Sequence, residues 1–457
     1  MSRDHATRQP RAAFSTLGCR LNQYETDSIA TQFSEAGYEI VPFEDQADVY
    51  VLNSCTVTNR ADRKSRNLFY RAQRSTQDRS DALVVLTGCY VDSHRDEIEQ
   101  DRHTFVVPNE AKQSIFELAD AHRRGEVHEP NGSVFDFPNA DRIFHTRTTI
   151  KIQDGCDNFC TFCIIPQVRG RAQSRPADEV IEAVESAVEC GSREIVLTGV
   201  NMSRYQDKAI DFADLVERVL TLDGSFRVRL SSLEPDQLTP RFIELFLHEK
   251  MVPHLHLCLQ SASERILLAM RRQYTYEHYR TLVRQLRSLD PLFNVTTDLI
   301  VGFPGETEEE HRASLDSIRE IGFGHVHVFP YSVRRGTRAE RMPGRVHSKT
   351  KKRRAREVRE IANESEERYY RSLVGTTQQI LVERVEDGAK GATLNGLTAY
   401  YPSATFELPG VGASEAAGRH HNEFVPVEIL AAGAASNNES PSLLAKPIAS
   451  RADRSAS

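Results

Sequence analysis

The stretch 154–166 reads DGCDNFCTFCIIP and places Cys156, Cys160 and Cys163 in a C-x3-C-x2-C spacing. Thiolates this close in sequence cannot staple a domain as disulfides. They can surround one soft metal centre, because Cys thiolate is a preferred ligand of zinc and of iron–sulfur clusters. A closed zinc site wants four ligands, and no fourth Cys or His lies close by in sequence. Three thiolates suit a 4Fe–4S cluster in which one iron stays open to a substrate or cofactor. The competing reading is chance clustering or a distorted zinc knuckle, and the spacing favours the cluster. Phe159 and Phe162 flank the triad, either shielding the metal from water or packing beneath the loop.

Three further cysteines share a local design. AAFSTLGC runs into Cys19, DVYVLNSC into Cys55 and ALVVLTGC into Cys89. Such continuous apolar or β-branched runs read as buried parallel strands. The helical stretches ETDSIATQFSEAG and ADRKSRNLFYRAQR fall between them, and Gly37 stands where a glycine ends a helix. The implied unit is an open parallel α/β domain with all three cysteines at the carboxyl ends of strands, the edge where such sheets bind ligands. Separations of 36 and 34 residues match one strand–helix unit each, so the thiols are expected to converge as a second cluster site. Three buried structural cysteines are the alternative. Cys190 in VECG and Cys258 in HLHLCL read as small buried apolar residues, and His254 and His256 as structural.

The elements that must position the first triad form a repeat. TTIKIQD, REIVLTG, FRVRLSS, HLHLCL, FNVTTDLI and HVHVFPY read as strands with helical stretches between them, a pattern of a parallel (βα)6 partial barrel. Chemistry in such barrels lies at the carboxyl-terminal edge, and the triad follows the first strand. Gly199, Asn201, Ser231, Glu234, Gln260, Asp298 and Gly302 fall at the same edge, where glycines admit a ligand and polar groups bind it. Together they favour a polar, nucleoside-like cofactor.

At 457 residues the chain is too long for one core, and about 150 residues per domain suggests three. The expected boundaries are a disordered 1–13, a cluster-binding domain 14–128, a linker 129–140, the barrel with a basic helix 141–370, a small β-barrel 371–432 and a disordered tail 433–457. With 39% hydrophobic and 27% charged residues the composition is that of a soluble globular chain, and no apolar run reaches the roughly 20 residues that span a membrane. The N-terminus has no apolar signal core, so the expected location is the cytoplasm, where cysteines serve as ligands rather than disulfides. Net charge is −7, yet residues 334–359 hold twelve Lys or Arg against Glu340 and Glu357. That run is either a solvated helical face or a track for phosphates.

These motifs resemble the radical S-adenosylmethionine (SAM) methylthiotransferases, over residues 14 to about 430. LGCRLNQYET, NSCTVTNRADRKSR and LTGCY resemble the branch that modifies N6-threonylcarbamoyladenosine in tRNA; the stretch LPGVGASEAAGRHHN departs as an insertion in a TRAM-like RNA-binding module. The resemblance implies SAM on the open iron at Cys156, Cys160 and Cys163, and a second 4Fe–4S cluster at Cys19, Cys55 and Cys89 that presents sulfur. It implies a methylthio group inserted at carbon 2 of adenosine-37, the tRNA anticodon arm as partner, a flavodoxin- or ferredoxin-type electron donor, and a monomer. Isopentenyladenosine tRNA or a ribosomal-protein aspartate is the alternative substrate, and a non-catalytic iron–sulfur RNA-binding protein the alternative class.

Overall fold

The computed structural model describes residues 8–77, 79, 82–98, 103–138, 146–433 and 441–448. Its first unit is a five-stranded, wholly parallel sheet. The strands run in the order Glu39–Val41, Arg11–Thr16, Val49–Ser54, Leu83–Gly88, Thr104–Val107. The three strands that lead into cysteines are adjacent at its centre. Val49–Ser54 and Leu83–Gly88 are buried throughout, as their unbroken apolar runs require. The two edge strands are too short to announce themselves in sequence. The first strand begins at Arg11, which corrects the expectation of disorder as far as residue 13: Ala12 and Ala13 are fully buried and pair with Val49 and Tyr50. Residues 1–7 lie outside the described residues.

The second unit holds the six expected parallel strands, Thr148–Lys151, Glu194–Thr198, Arg227–Leu230, His254–Leu257, Asn294–Val301 and His325–Pro330. They hydrogen-bond as two groups of three, linked by a bridge between Val228 and Met251. Among the described residues the first and last strands do not pair, so the barrel is partial. Alternation sorts its two faces. Ile195, Leu197, Val228, Leu230, Leu255, Leu257 and Val295 pack outward against helices Ala177–Glu189, Phe212–Thr221, Tyr276–Leu289 and Glu308–Ile321 in one large core. Arg227, Arg229, His254, His256, Thr296, Asp298 and His327 point the other way and give a polar lumen.

The helix Ser348–Ser372 seals one side of the barrel through Ala355, Val358, Ile361 and Ala362. A closed five-stranded barrel follows, from Thr377–Gly388, Gly391–Thr398, Ser403–Pro409, Phe424–Ala432 and Leu443–Pro447. The last strand corrects the expectation of a disordered tail from residue 433. Leu443 is fully buried, and the strand pairs with both Phe424–Ala432 and Ser403–Pro409. Its LLAKP is too short for alternation to stand out in an Ala/Ser/Asn/Pro-rich stretch; residues 434–440 and 449–457 lie outside the described residues. The insertion-like stretch folds as the helix Ala413–His420, which buries Ala416 against the barrel core. No helix among the described residues is long and apolar enough to cross a membrane.

Candidate functional site

Gly155 opens the loop that carries the first triad. Its φ is +66°, and a Cβ there would lie 2.0 Å from the Arg171 carbonyl oxygen, so only glycine lets the chain pass that segment. The loop is pinned by its backbone: Cys156 N–H donates to Gly170 O (3.2 Å), Thr161 N–H to Met270 O (3.0 Å) and Cys163 N–H to Cys160 O (3.0 Å). Phe159 takes a left-handed φ of +47°, unusual for an aromatic residue and a mark of a strained, over-determined turn. Its ring is exposed beneath the Arg171 guanidinium, whereas Phe162 packs edge-on against Phe303.

The sulfurs face hydrogen-bond donors. Asn201 Nδ2 (3.8 Å) and the Asn158 N–H (3.5 Å) approach Cys156 Sγ, and Arg272 Nη1 approaches Cys160 Sγ (3.3 Å). Such donors suit metal-bound thiolates. Burial, reinforced by Cys160 and Cys156, pushes the Cys163 thiol up to about 12, so the thiolate form needs a cation to share the site. Among the described residues, the one group of three His, Cys, Asp or Glu whose ligand atoms all lie within 4.8 Å of one another is His256, Asp298 and His327. Neither cysteine triad is closed to the ~3.8 Å sulfur spacing that one tetrahedral zinc at ~2.3 Å would impose.

The second triad stands at the carboxyl edge of the first sheet. Cys19 is exposed, while Cys55 and Cys89 directly follow their strands and are buried. Burial pushes the Cys55 thiol up to about 12, and the proximity of Cys89 and Cys19 adds to the shift. Burial also raises Cys89, with Cys19 adding to it and Arg169 and Lys112 opposing. The three thiols therefore share one local field. Gly88 holds the arrangement: its φ is +98°, and a Cβ would lie 2.3 Å from Ser54 O. Gly88→Ala is expected to force apart the strand ends that carry Cys55 and Cys89. It should cost at least the 1–3 kcal/mol or so of a strained residue and lower iron retention, read as a fall in melting temperature together with the iron-to-protein ratio.

Arg169 joins the two sites. Nη1 binds Asp154 Oδ2 (3.0 Å) and Glu25 Oε1 (2.9 Å), and Nη2 binds Asn22 Oδ1 (2.6 Å). Lys151 Nζ contacts Asp154 (2.6 Å) and Glu25 (3.2 Å), and Lys112 Nζ contacts Glu25 (2.5 Å). Burial alone would raise the Glu25 and Asp154 carboxyls, but these cations outweigh it and hold both below the usual range. Asp154 lies two residues before Cys156, Asn22 three after Cys19, and Cys89 packs against Ile164 and Val168, just beyond Cys163. One buried network thus positions both triads.

The other residues singled out by sequence divide. Asn201 reaches Cys156, and its N–H donates to Gln153 Oε1 (2.7 Å), beside Gly199. Glu234 pairs with Arg272, the donor to Cys160. Ser231 lies one layer away, with its hydroxyl on Met202 Sδ (3.8 Å). Gln260, at φ +65°, donates its N–H to Asp298 O (2.8 Å). Asp298 turns into the lumen toward His256 Nε2 (3.3 Å), so His256 belongs to the lumen and is not only structural. Gly302 stands apart: a Cβ there would lie 2.2 Å from Lys351 Cγ, and the space it leaves is filled by the basic helix. Cys258 is buried as expected, but Cys190 is exposed at its helix end, where no core reaches it. Sequence reasoning missed Arg169, Arg272, Gln153 and Tyr401. Each makes its contact from a loop or a strand end, where no periodicity marks it.

Residues 11–107 match the uncharacterized protein family UPF0004 and residues 150–318 the radical SAM superfamily. The threonylcarbamoyladenosine tRNA methylthiotransferase MtaB of Bacillus subtilis (strain 168) is 38% identical, over 92% of this chain and 94% of that protein. The protein of the same name from Thermotoga maritima is 35% identical over 87% of this chain and 91% of its own. A tRNA-2-methylthio-N(6)-dimethylallyladenosine synthase from Endomicrobium trichonymphae is 33% identical over 83% and 91%. Among solved structures, the radical S-adenosylmethionine methyltransferase TsrM of Kitasatospora setae, with cobalamin and a 4Fe–4S cluster bound, shares the fold. Its TM-score is 0.54 over 72% of this chain and 77% of that one, at 16% identity.

Proposed function

The chain belongs to the threonylcarbamoyladenosine tRNA methylthiotransferases, a radical SAM family, and on that premise we infer that it inserts a methylthio group at carbon 2 of N6-threonylcarbamoyladenosine-37 in tRNA. The observation that carries this reading is the pair of cysteine triads, each at a carboxyl edge of a parallel sheet and joined by Arg169. Cys156, Cys160 and Cys163 hold a 4Fe–4S cluster that, when bound, supplies the electron for cleaving SAM to a carbon radical. That chemistry suits an unactivated aromatic C–H, which offers no acidic proton to a general base. The chain's residues set the stage. Arg272 and Asn201 steady the sulfurs, and Gln153, Gly199, Asn201 and Glu234 line the edge where SAM binds. Cys19, Cys55 and Cys89 would hold a second cluster, which would supply the sulfur for insertion. The electron donor is of flavodoxin or ferredoxin type, and the chain acts as a monomer in the cytoplasm.

RNA is gripped by the basic helix and the terminal barrel, a TRAM-like module. Not all of the basic run is available. Arg334 is committed to Asp62, and Arg353 and Arg354 to Glu306, Glu308 and Glu357. Lys349, Lys352, Arg356 and Arg359 are exposed at spacings that fall on one helix face. Reversing Lys349, Lys352 and Arg359 to Glu is expected to weaken tRNA binding and to flatten its log–log salt dependence by roughly 1 per lost phosphate contact. Titrations of tRNA across a salt series measure this. The function itself is tested by mass analysis of tRNA nucleosides from a deletion strain. Loss of the methylthio-threonylcarbamoyl nucleoside supports it, and an unchanged profile rejects it.

A further inference from the structure

Tyr401 belongs to the terminal barrel, yet its ring sits in the lumen of the catalytic barrel. It stacks on His254 (centroids 4.4 Å apart, 8° between planes), lies under the Arg229 guanidinium (5.6 Å) and accepts a hydrogen bond from Arg20 Nη2 (3.4 Å). Its φ of +88° is strained for a residue with a side chain, and such strain persists only where the surroundings impose it. The turn is locked by Arg229 donating to Thr398 O (3.1 Å) and Asn294 to Tyr400 O (2.7 Å).

Charge around this ring does not balance. Arg227 and Arg229 share the single carboxylate of Glu194, and Arg147 pairs with Glu383. Arg20 has no carboxylate partner among the described residues; its one side-chain hydrogen bond goes to the Tyr401 hydroxyl. Arg229 is 1% exposed, and its Nη1 has no hydrogen-bond partner among the described residues. Asp298, further along the lumen, is engaged by His256. His254 adds no charge: burial, and then Arg229, keep it neutral. Arg20 and Tyr401 are half-buried and His327 is exposed, so the lumen can be reached from outside.

We propose that Arg20, at the Tyr401 hydroxyl, binds the carboxylate of the substrate's threonyl group, with the buried Arg229 over the same ring adding to the attraction, and so selects it over an apolar N6 substituent. The proposal rests on the substrate reading above. Carbon 2 and carbon 6, which carries N6, flank the same ring nitrogen, so a base held through its N6 substituent keeps carbon 2 nearby. Arg20 directly follows Cys19, which puts this anchor beside the second triad. Guanidinium is the side chain best matched to a carboxylate.

The test is equilibrium binding of three probes to iron-loaded protein: the nucleoside N6-threonylcarbamoyladenosine, its methyl ester, and adenosine 5′-monophosphate. The wild-type protein is expected to prefer the acid over the ester by tenfold or so, with the monophosphate binding no better than the ester. Arg20→Gln should bring the acid-to-ester ratio close to one, and Arg20→Lys should restore part of it; iron content is measured on each variant. Equal affinity of the wild-type protein for acid and ester overturns the proposal without any variant. So does an iron-replete Arg20→Gln that keeps the full preference. A monophosphate that matches the acid also overturns it, by marking a phosphate site. If tRNA from the deletion strain loses its methylthio-threonylcarbamoyl nucleoside while acid and ester bind alike, only this inference fails.

Discussion

Changing Cys19, Cys55 and Cys89 together to Ala is expected to halve the iron content, from about eight atoms per chain to about four, and to abolish methylthio transfer while SAM is still cleaved. The two triads are built on different sheets, one held by backbone bonds to Gly170 and Met270 and the other by the strand ends at Ser54 and Gly88. Neither loop needs the other's metal to close. Alanine at Cys55 and Cys89 also removes two buried thiols whose ionisation is disfavoured, so the apolar fold around them should survive. The reciprocal change, Cys156, Cys160 and Cys163 to Ala, should keep about half the iron and cleave no SAM. Iron and sulfide counts on anaerobically reconstituted protein, with 5′-deoxyadenosine release after reduction, measure both. Complete loss of iron in the first variant would refute two independent sites. A wild-type protein with about four irons and no SAM cleavage would favour the non-catalytic alternative.

The largest effect on stability is expected at Glu25. It is 1% exposed and faces Lys112, Lys151 and Arg169. Glu25→Ala leaves three buried cations with Asp154 as their one remaining carboxylate, and breaking a buried pair in this way costs about 3–5 kcal/mol. That is a large share of a typical 5–15 kcal/mol total. Arg169→Met should cost less, because Lys112 with Glu25 and Lys151 with Asp154 still balance. Thermal unfolding of the three proteins gives the order. The pH dependence follows from the same charges. Glu25 and Asp154 have folded values held below the ordinary range, so their contribution is present above the unfolded carboxylate value near 4 and is lost as pH falls through the folded value. Wild-type melting temperature should therefore drop steeply below about pH 4, and the Glu25→Ala curve should start lower and fall less.

The architecture was largely legible because its signals are local. Runs such as DVYVLNSC and ALVVLTGC can hardly be anything but buried strands, and a cysteine closing each run puts it on the ligand edge. The six barrel strands were legible because each is a short apolar or alternating run bounded by helical stretches. The strand Leu443–Pro447 was not, because its place depends on the partners at Ala404 and Ala432 rather than on its own pattern. Site residues followed the same divide. Cysteines can be read from spacing; Arg169 and Arg272 cannot, since nothing in a lone arginine tells that a sulfur will lie 3.3 Å away. Gly302 shows the converse, a glycine at the right edge whose open side admits Lys351 instead of a ligand.

The seating of Tyr401 bears on how the protein is made. The sheet with the second triad and the six-stranded barrel precede Tyr401 in the chain and can fold as they leave the ribosome, N-terminal units first. The Tyr401 turn is held between Gly391–Thr398 and Ser403–Pro409, and the barrel that contains those strands closes only when Leu443–Pro447 is added. The floor of the catalytic lumen is therefore the last part to be set in place during synthesis. A nascent chain therefore has its cysteine-bearing edges assembled while the barrel lumen still lacks Tyr401.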